Sequence, residues 1–138
     1  MTTHYWLVII GAGILSLVLG SIWYGPLFGK AWMRICGATD MDAEKRKEMQ
    51  KKAMPLYFVQ LLLTLVQLYV LSHLTGASGL VGIKSALWVW AGFVLPTVAG
   101  SSMWNNDSKK VAWTRFLIQA GFQLVCLVVF GFILGTWL

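Results

Sequence analysis

Two otherwise apolar runs carry polar side chains at helical spacing. Tyr57, Gln60, Thr64 and Gln67 step by three or four residues, and so do Arg115, Gln119, Gln123 and Cys126. That spacing gathers each set on one face of a helix. Carboxamides both donate and accept hydrogen bonds, so the chemistry on offer is recognition by hydrogen bonding. Gln60, Thr64, Gln67, Arg115, Gln119 and Gln123 form the candidate polar interior. Polar groups in hydrocarbon turn towards a bundle interior or a cavity, so the two faces are expected to meet. They either line a polar cavity or zip together. An interhelical amide bond contributes only about 0.6–2 kcal/mol in a bilayer, and structural glue is favoured over a transport path.

Other reactive groups are sparse. His4 and His73 fall at the same predicted end of their helices and could ligate a haem or a metal; solvated interfacial rings are the plainer account. Cys36 lies in a charged loop and Cys126 in an apolar run, so they sit at different depths and do not pair. No Asp, Glu, Lys or His occupies the middle of an apolar run, which weighs against a proton- or ion-coupled pump. No hydrolase triad and no metal-ligand spacing occurs. The expectation is a protein that is not an enzyme, with no catalytic residue, cofactor or metal.

The elements that position these residues follow from composition. The chain has 138 residues, 58% hydrophobic and only 12% charged, with a mean hydropathy of +0.71. A soluble domain uses about a quarter charged residues, so lipid must be part of the solvent. A helix needs about 20 mainly apolar residues to cross the hydrocarbon. Four stretches qualify, roughly 5–25, 55–75, 85–104 and 112–138. Open strands would leave backbone groups unsatisfied in lipid. The predicted fold is therefore all-α, an integral membrane four-helix bundle forming a single domain over 1–138. The start lacks a basic signal-type region and a small-residue cleavage site, so the first apolar segment is expected to stay as a mature helix.

The joints carry their own signals. Pro26 is expected to end the first helix, and Pro55 to fall in the first turn of the second, where its missing N–H costs nothing. Residues 40–53 read as a short surface helix capped by Thr39 or Asp40. Residues 75–79 make a flexible connector. Asn105-Asn106-Asp107-Ser108 makes a tight turn that sets the last two helices antiparallel.

The net charge of +6 is a topology signal. Seven of the eleven Lys and Arg lie between Lys30 and Lys52, and Lys109, Lys110 and Arg115 share their side of a four-span layout, against Lys84 alone opposite. The positive-inside rule then puts the 26–54 loop in the cytoplasm and both termini outside, N-out/C-out. All eight Trp are expected near an interface, Trp6, Trp88, Trp90 and Trp137 outside and Trp23, Trp32, Trp104 and Trp113 inside. Nucleic acid is not an expected partner.

Two small-residue stripes, Ala12-Ser16-Gly20 and Gly131-Gly135, let backbones approach closely. They serve either a seam between copies or packing inside the bundle.

The stretch Gly20-Ser-Ile-Trp-Tyr-Gly-Pro-Leu-Phe-Gly-Lys-Ala-Trp-Met33 resembles the opening motif of the domain-of-unknown-function 1761 family of small bacterial membrane proteins. Lys52-Ala-Met-Pro-Leu-Tyr57, Gly92-Phe-Val-Leu-Pro-Thr97 and Phe116–Val125 look like later parts of it. The resemblance implies four helices and a bacterial inner membrane, and brings no established activity. Within the motif, Trp23, Tyr24, Gly25, Pro26, Phe28, Gly29, Lys30 and Trp32 form a candidate interface site. Trp23 and Tyr24 would anchor at headgroup level, Pro26 would break the helix, and Gly25 and Gly29 would allow a tight re-entry. The functional expectation is an accessory subunit or small oligomeric bundle. Its partners would be the lipid bilayer and either further copies or a larger membrane complex. The alternative is a small-solute transporter or channel running between helices two and four.

Overall fold

The computed structural model describes residues 2–35, 42–74, 79–104 and 108–138. Among them the fold is all-α: α1 (Thr3–Ile22), α2 (Gly29–Ile35), α3 (Ala43–Ser72), α4 (Gly79–Val89), α5 (Leu95–Met103) and α6 (Lys109–Trp137). Two wider π-helical turns, Trp23–Leu27 and Trp90–Val94, continue α1 and join α4 to α5. Four continuous helical segments are long and apolar enough to cross a membrane: Thr3–Leu27, Ala43–Ser72, Val81–Met103 and Lys109–Trp137.

Side-chain caps start three of the helices. Thr2, Asp42 and Ser108 accept from the backbone N–H of Tyr5, Lys45 and Val111 respectively, each satisfying one of the donors a helix start leaves without an intrahelical partner. The cap of α3 is thus Asp42; Thr39 and Asp40 lie outside the described residues, as do Cys36, most of the 75–79 connector and residues 105–107 of the predicted turn.

The expectation for Pro55 needs correction. Pro55 stands well inside α3, which runs unbroken from its charged start into its apolar half. The predicted surface helix and second span are one helix, because Glu44, Glu48 and Lys52 keep the phase of the apolar residues that follow. The hydrogen bond lost at Pro55 falls in a solvent-exposed stretch, beside exposed Lys51 and Lys52. Pro26 stands in the last turn of the first helical segment, which ends at Leu27 as expected. The helix widens so that Phe28 N–H reaches the Trp23 carbonyl at 2.9 Å, five residues back, giving the proline ring the room that an α turn denies it. Pro96 produces the second such turn, with the Leu95 N–H on the Trp90 carbonyl.

α6 is the central helix and packs most extensively along α4. Their backbones touch at glycine. A Cβ on Gly82 would collide with the Gly131 carbonyl and come within 3.4 Å of the Gly135 Cα, while one on Gly131 would meet the Gly82 backbone and the Ala86 Cβ. The Ala12-Ser16-Gly20 stripe also faces inward: Ala12 and Ser16 are buried, and Gly20 sits against the Phe122 ring. Both small-residue stripes are therefore filled within one chain.

The core joins Ile9 and Ala12 of α1, Leu68 and Leu71 of α3, Ala86 of α4, and Leu127, Phe130 and Leu134 of α6. It lies towards the end holding the start of α1 and the finish of α6. There the Tyr5 and Ser72 hydroxyls are 2.7 Å apart and Trp6 stacks on Tyr69. At the opposite end the helices diverge.

Tryptophan placement differs from expectation at two positions. The third apolar segment begins at Val81 rather than residue 85, and Trp88 and Trp90 fall near its middle. Lys84 is exposed within α4 instead of preceding it; a long lysine stem can lie along apolar surface with its head in water. Trp88 is 72% exposed on the outside of the bundle, and Trp90 turns inward.

Candidate functional site

The divergence leaves a cavity of about 1010 Å³ between α1, α3 and α6, with Trp32 of α2 and Val98 of α5 completing its wall. Its closed end is marked by Ser16, Thr64, Cys126 and Phe130, beside the core, and its open end by Gly25, Trp32 and Met54. From Met54 to Gln67 it follows α3 for roughly 20 Å at the helical rise per residue. Its volume is at the upper end of small-molecule sites, about 300–1,000 Å³.

Gln60, Thr64, Gln67, Gln119 and Gln123 all face this space. Residues of both polar stripes border one space, with Arg115 not among its lining, and the amides are spread around a cavity rather than zipped shut. One amide pair crosses between the helices, Gln67 Nε2 donating to Gln123 Oε1 at a long 3.5 Å. Gln60 turns to its own helix, its Nε2 being 3.5 Å from Thr64 Oγ1, while the threonine donates back to the Gln60 carbonyl at 2.8 Å. Among the described residues Gln119 lines the cavity without a side-chain hydrogen bond to the protein. Arg115 lies one turn nearer the mouth on the same face of α6, with its guanidinium 5.9 Å above the Trp32 ring centroid, within cation–π range.

The Trp23–Trp32 segment builds the mouth. Tyr24 lines the cavity and meets both Trp32 and Phe122 edge-on, at 4.9 and 5.3 Å. Gly29 is required by close approach, since a Cβ there would stand 2.8 Å from the Tyr24 carbonyl; at Gly25 a Cβ would meet nothing within 4 Å. The chain breaks at Phe28, between the π turn and α2. Pro26 and Lys30 are exposed.

Trp23 turns into the bundle. Its indole N–H donates to the Ile118 carbonyl of α6 at 3.0 Å, and Trp90 does the same to Ala120 at 2.9 Å. The two proline-widened turns thus clamp α6 from neighbouring positions. Gly121 supplies the seat, because a Cβ there would lie 3.1 Å from the Trp23 ring.

The family described as "Protein of unknown function (DUF1761)" matches residues 7–135. The chain belongs to the DUF1761 family. No curated protein and no solved structure matches it.

The DUF1761 match takes in every residue of the cavity wall named above. It leaves out His4, whose Nε2 donates to the Trp137 carbonyl at 2.6 Å. His73 uses Nδ1 towards the Tyr69 carbonyl at 2.8 Å, so each ring has one nitrogen engaged with backbone. No group of three or more possible metal ligands occurs among the described residues.

Sequence reasoning missed Ser21, Tyr24 and Trp32 as cavity residues of this DUF1761 protein. Ser21 and Tyr24 follow the Ser16–Gly20 stripe along α1 at helical spacing, a signal that was present. Trp32 gave none, since its place depends on the direction the chain takes after Phe28.

Proposed function

We propose that this DUF1761 protein crosses a bacterial cytoplasmic membrane four times, with both ends outside, and binds a small hydrogen-bonding solute in its glutamine-lined cavity without catalysing a reaction. The observation carrying this reading is that four glutamines from two helices line one cavity and make a single bond across it. Structural glue would bring the amides together; a recognition site holds them apart. The orientation is supported by charge: Lys30 and Arg34 of α2, the lysines that begin α3, and Lys109 and Lys110 of α6 all lie at the cavity's open end, which the positive-inside rule assigns to the cytoplasm. The lining offers amides and hydroxyls, suited to orienting a ligand rather than to proton transfer. A cavity open on one side and sealed on the other by packed core is also one of the two states that alternating access requires.

Uptake of small neutral solutes such as glycerol or acetamide into proteoliposomes measures this. Replacing Gln60, Gln67, Gln119 and Gln123 with leucine keeps the volume and removes the hydrogen bonds. Uptake and retention are expected to fall to the empty-vesicle level in the variant. Equal values for both proteins, or no uptake by either, would remove the solute reading.

An accessory role keeps one support. The outer face of α3, with Leu56, Phe58, Val59, Leu62, Leu63 and Val66, is broad and apolar enough for a partner helix. Native gels with crosslinking in mild detergent test it, and a strictly monomeric species with nothing co-purifying would count against it.

A further inference from the structure

The hydrogen-bonding groups of the cavity wall divide into engaged and unengaged. Ser16, Ser21 and Thr64 donate to the Gly13, Leu17 and Gln60 carbonyls of their own helices, at 2.6, 2.9 and 2.8 Å. Their hydroxyl protons are taken. Gln67 and Gln123 share one long bond, in which Gln123 only accepts. Gln119 lines the same space, and among the described residues its carboxamide bonds to nothing in the protein. A carboxamide holds an acceptor and a donor side by side in one plane. Its best partner carries a donor and an acceptor at matching spacing, as a cyclic amide or the edge of a nucleobase does.

The rest of the wall favours a flat, uncharged molecule. Five lining residues are aromatic: Tyr24, Trp32, Tyr57, Phe122 and Phe130. A planar ring gains contact against such walls and has few rotamers to lose. Phe122 stands one turn from Gln119 on α6 and next to Gln123, so ring and amides form one patch. Tyr24 meets Phe122 edge-on, with centroids 5.3 Å apart and planes 65° apart. In an edge-on pair the ring offering its edge keeps both faces clear of the other. Among the described residues the lining contains no Asp, Glu, Lys, Arg or His. An ion moved into it would lose water and meet no opposite charge.

We infer that the ligand is a neutral, planar heteroaromatic molecule with adjacent N–H and C=O groups, which pairs edge to edge with the Gln119 carboxamide and lies against the Phe122 ring. This rests on the cavity being a binding site, and it names the ligand class. Gln119 accepts from the ligand N–H through Oε1 and donates to the ligand carbonyl through Nε2. The volume of about 1010 Å³ exceeds a single ring and leaves room for a substituent or water towards the mouth.

Binding of tritiated 2-pyridone to the full chain in detergent, read by scintillation proximity with unlabelled competitors, tests the assignment. N-methyl-2-pyridone keeps the flat ring and lacks the N–H; 2-piperidone keeps the N–H and C=O edge on a puckered ring. 2-Pyridone should bind about tenfold more tightly than N-methyl-2-pyridone, the effect of breaking one hydrogen bond and leaving its partner unsatisfied. It should bind about fivefold more tightly than 2-piperidone, the effect of aromatic contact. Gln119→Leu should abolish the first preference and leave N-methyl-2-pyridone binding unchanged, which also shows that the variant is folded. Phe122→Leu should abolish the second preference and keep the first. Equal binding of 2-pyridone and N-methyl-2-pyridone would overturn the edge pairing, and equal binding of 2-piperidone would overturn the flat ring. A Gln119→Leu protein with the full preference would overturn the residue assignment. A native chain that binds no 2-pyridone, while its solute uptake still falls in the four-glutamine variant, would overturn this inference alone. If that uptake is absent too, the solute reading fails with it.

Discussion

Gly82→Ala is expected to destabilise the protein by about 3 kcal/mol, the upper end of the range for overpacked sites. The added Cβ would run into the Gly131 carbonyl, and backbone has no alternative rotamer through which to yield. α4 would have to move away from α6 along the most extensive helix contact in the fold. Where lipid removes the hydrophobic drive between helices, association rests on such close packing, so the loss cannot be offset by burying other apolar surface. Gly11→Ala is the matched control. A Cβ at Gly11 meets nothing within 4 Å, and exchanging a helical glycine for alanine is worth roughly 0.5–1 kcal/mol in the stabilising direction. Thermal denaturation in detergent should show Gly82→Ala melting well below the native protein and Gly11→Ala at or above it. Equal melting temperatures for the two variants would mean that the α4–α6 contact is looser than described.

The tryptophan clamp should have the next largest effect. Trp23→Phe and Trp90→Phe keep most of each ring's apolar bulk and remove one indole N–H apiece, breaking the bonds to the Ile118 and Ala120 carbonyls. Each is worth about 1 kcal/mol, and the double variant should lose about 2 kcal/mol if the sites act independently. Both carbonyls belong to one stretch of α6, so a larger loss in the double variant would mean that the clamps hold that stretch jointly. Two interfacial anchors would behave differently. Phenylalanine replacement would then leave thermal stability in detergent nearly unchanged, because an anchoring tryptophan acts on the bilayer rather than on α6.

The fate of particular residues shows what the sequence could reveal. The glutamines were legible because helical periodicity fixes which side chains share a face, and polar groups on an apolar helix have few places to go. Their arrangement around a cavity was not legible. It depends on α1 and α3 diverging below Gly13, a property of helix axes and not of either stripe. Pro26, Pro55 and Pro96 were visible, but a proline in a helix can end it, sit within it or widen its turn. The outcome is decided by what the freed backbone groups find nearby. Pro55 lies beside exposed residues, whereas Pro26 and Pro96 follow tryptophans that gain a partner on α6 when the turn widens. The bonds of Trp23 and Trp90 to α6 were illegible for the same reason: an indole N–H is satisfied equally by an interface or by a helix carbonyl on a neighbouring element. The glycine stripes left two uses open until the position of Gly82 chose packing within the chain.

The central claim is a polar cavity that opens at the charged end of the bundle, and Cys126 reports on it directly. This thiol is 3% exposed and faces the closed end of the cavity. With Cys36 replaced by serine it is the only cysteine left in the chain. A small, anionic, membrane-impermeant methanethiosulfonate reagent should modify it when added to the side bearing the 26–54 loop, and not when added to the opposite side. Modification should slow when Gln60, Gln67, Gln119 and Gln123 are replaced by leucine and water is driven from the cavity. A Cys126 that stays unmodified from both sides until the protein is denatured, or that reacts from the opposite side alone, would contradict the account.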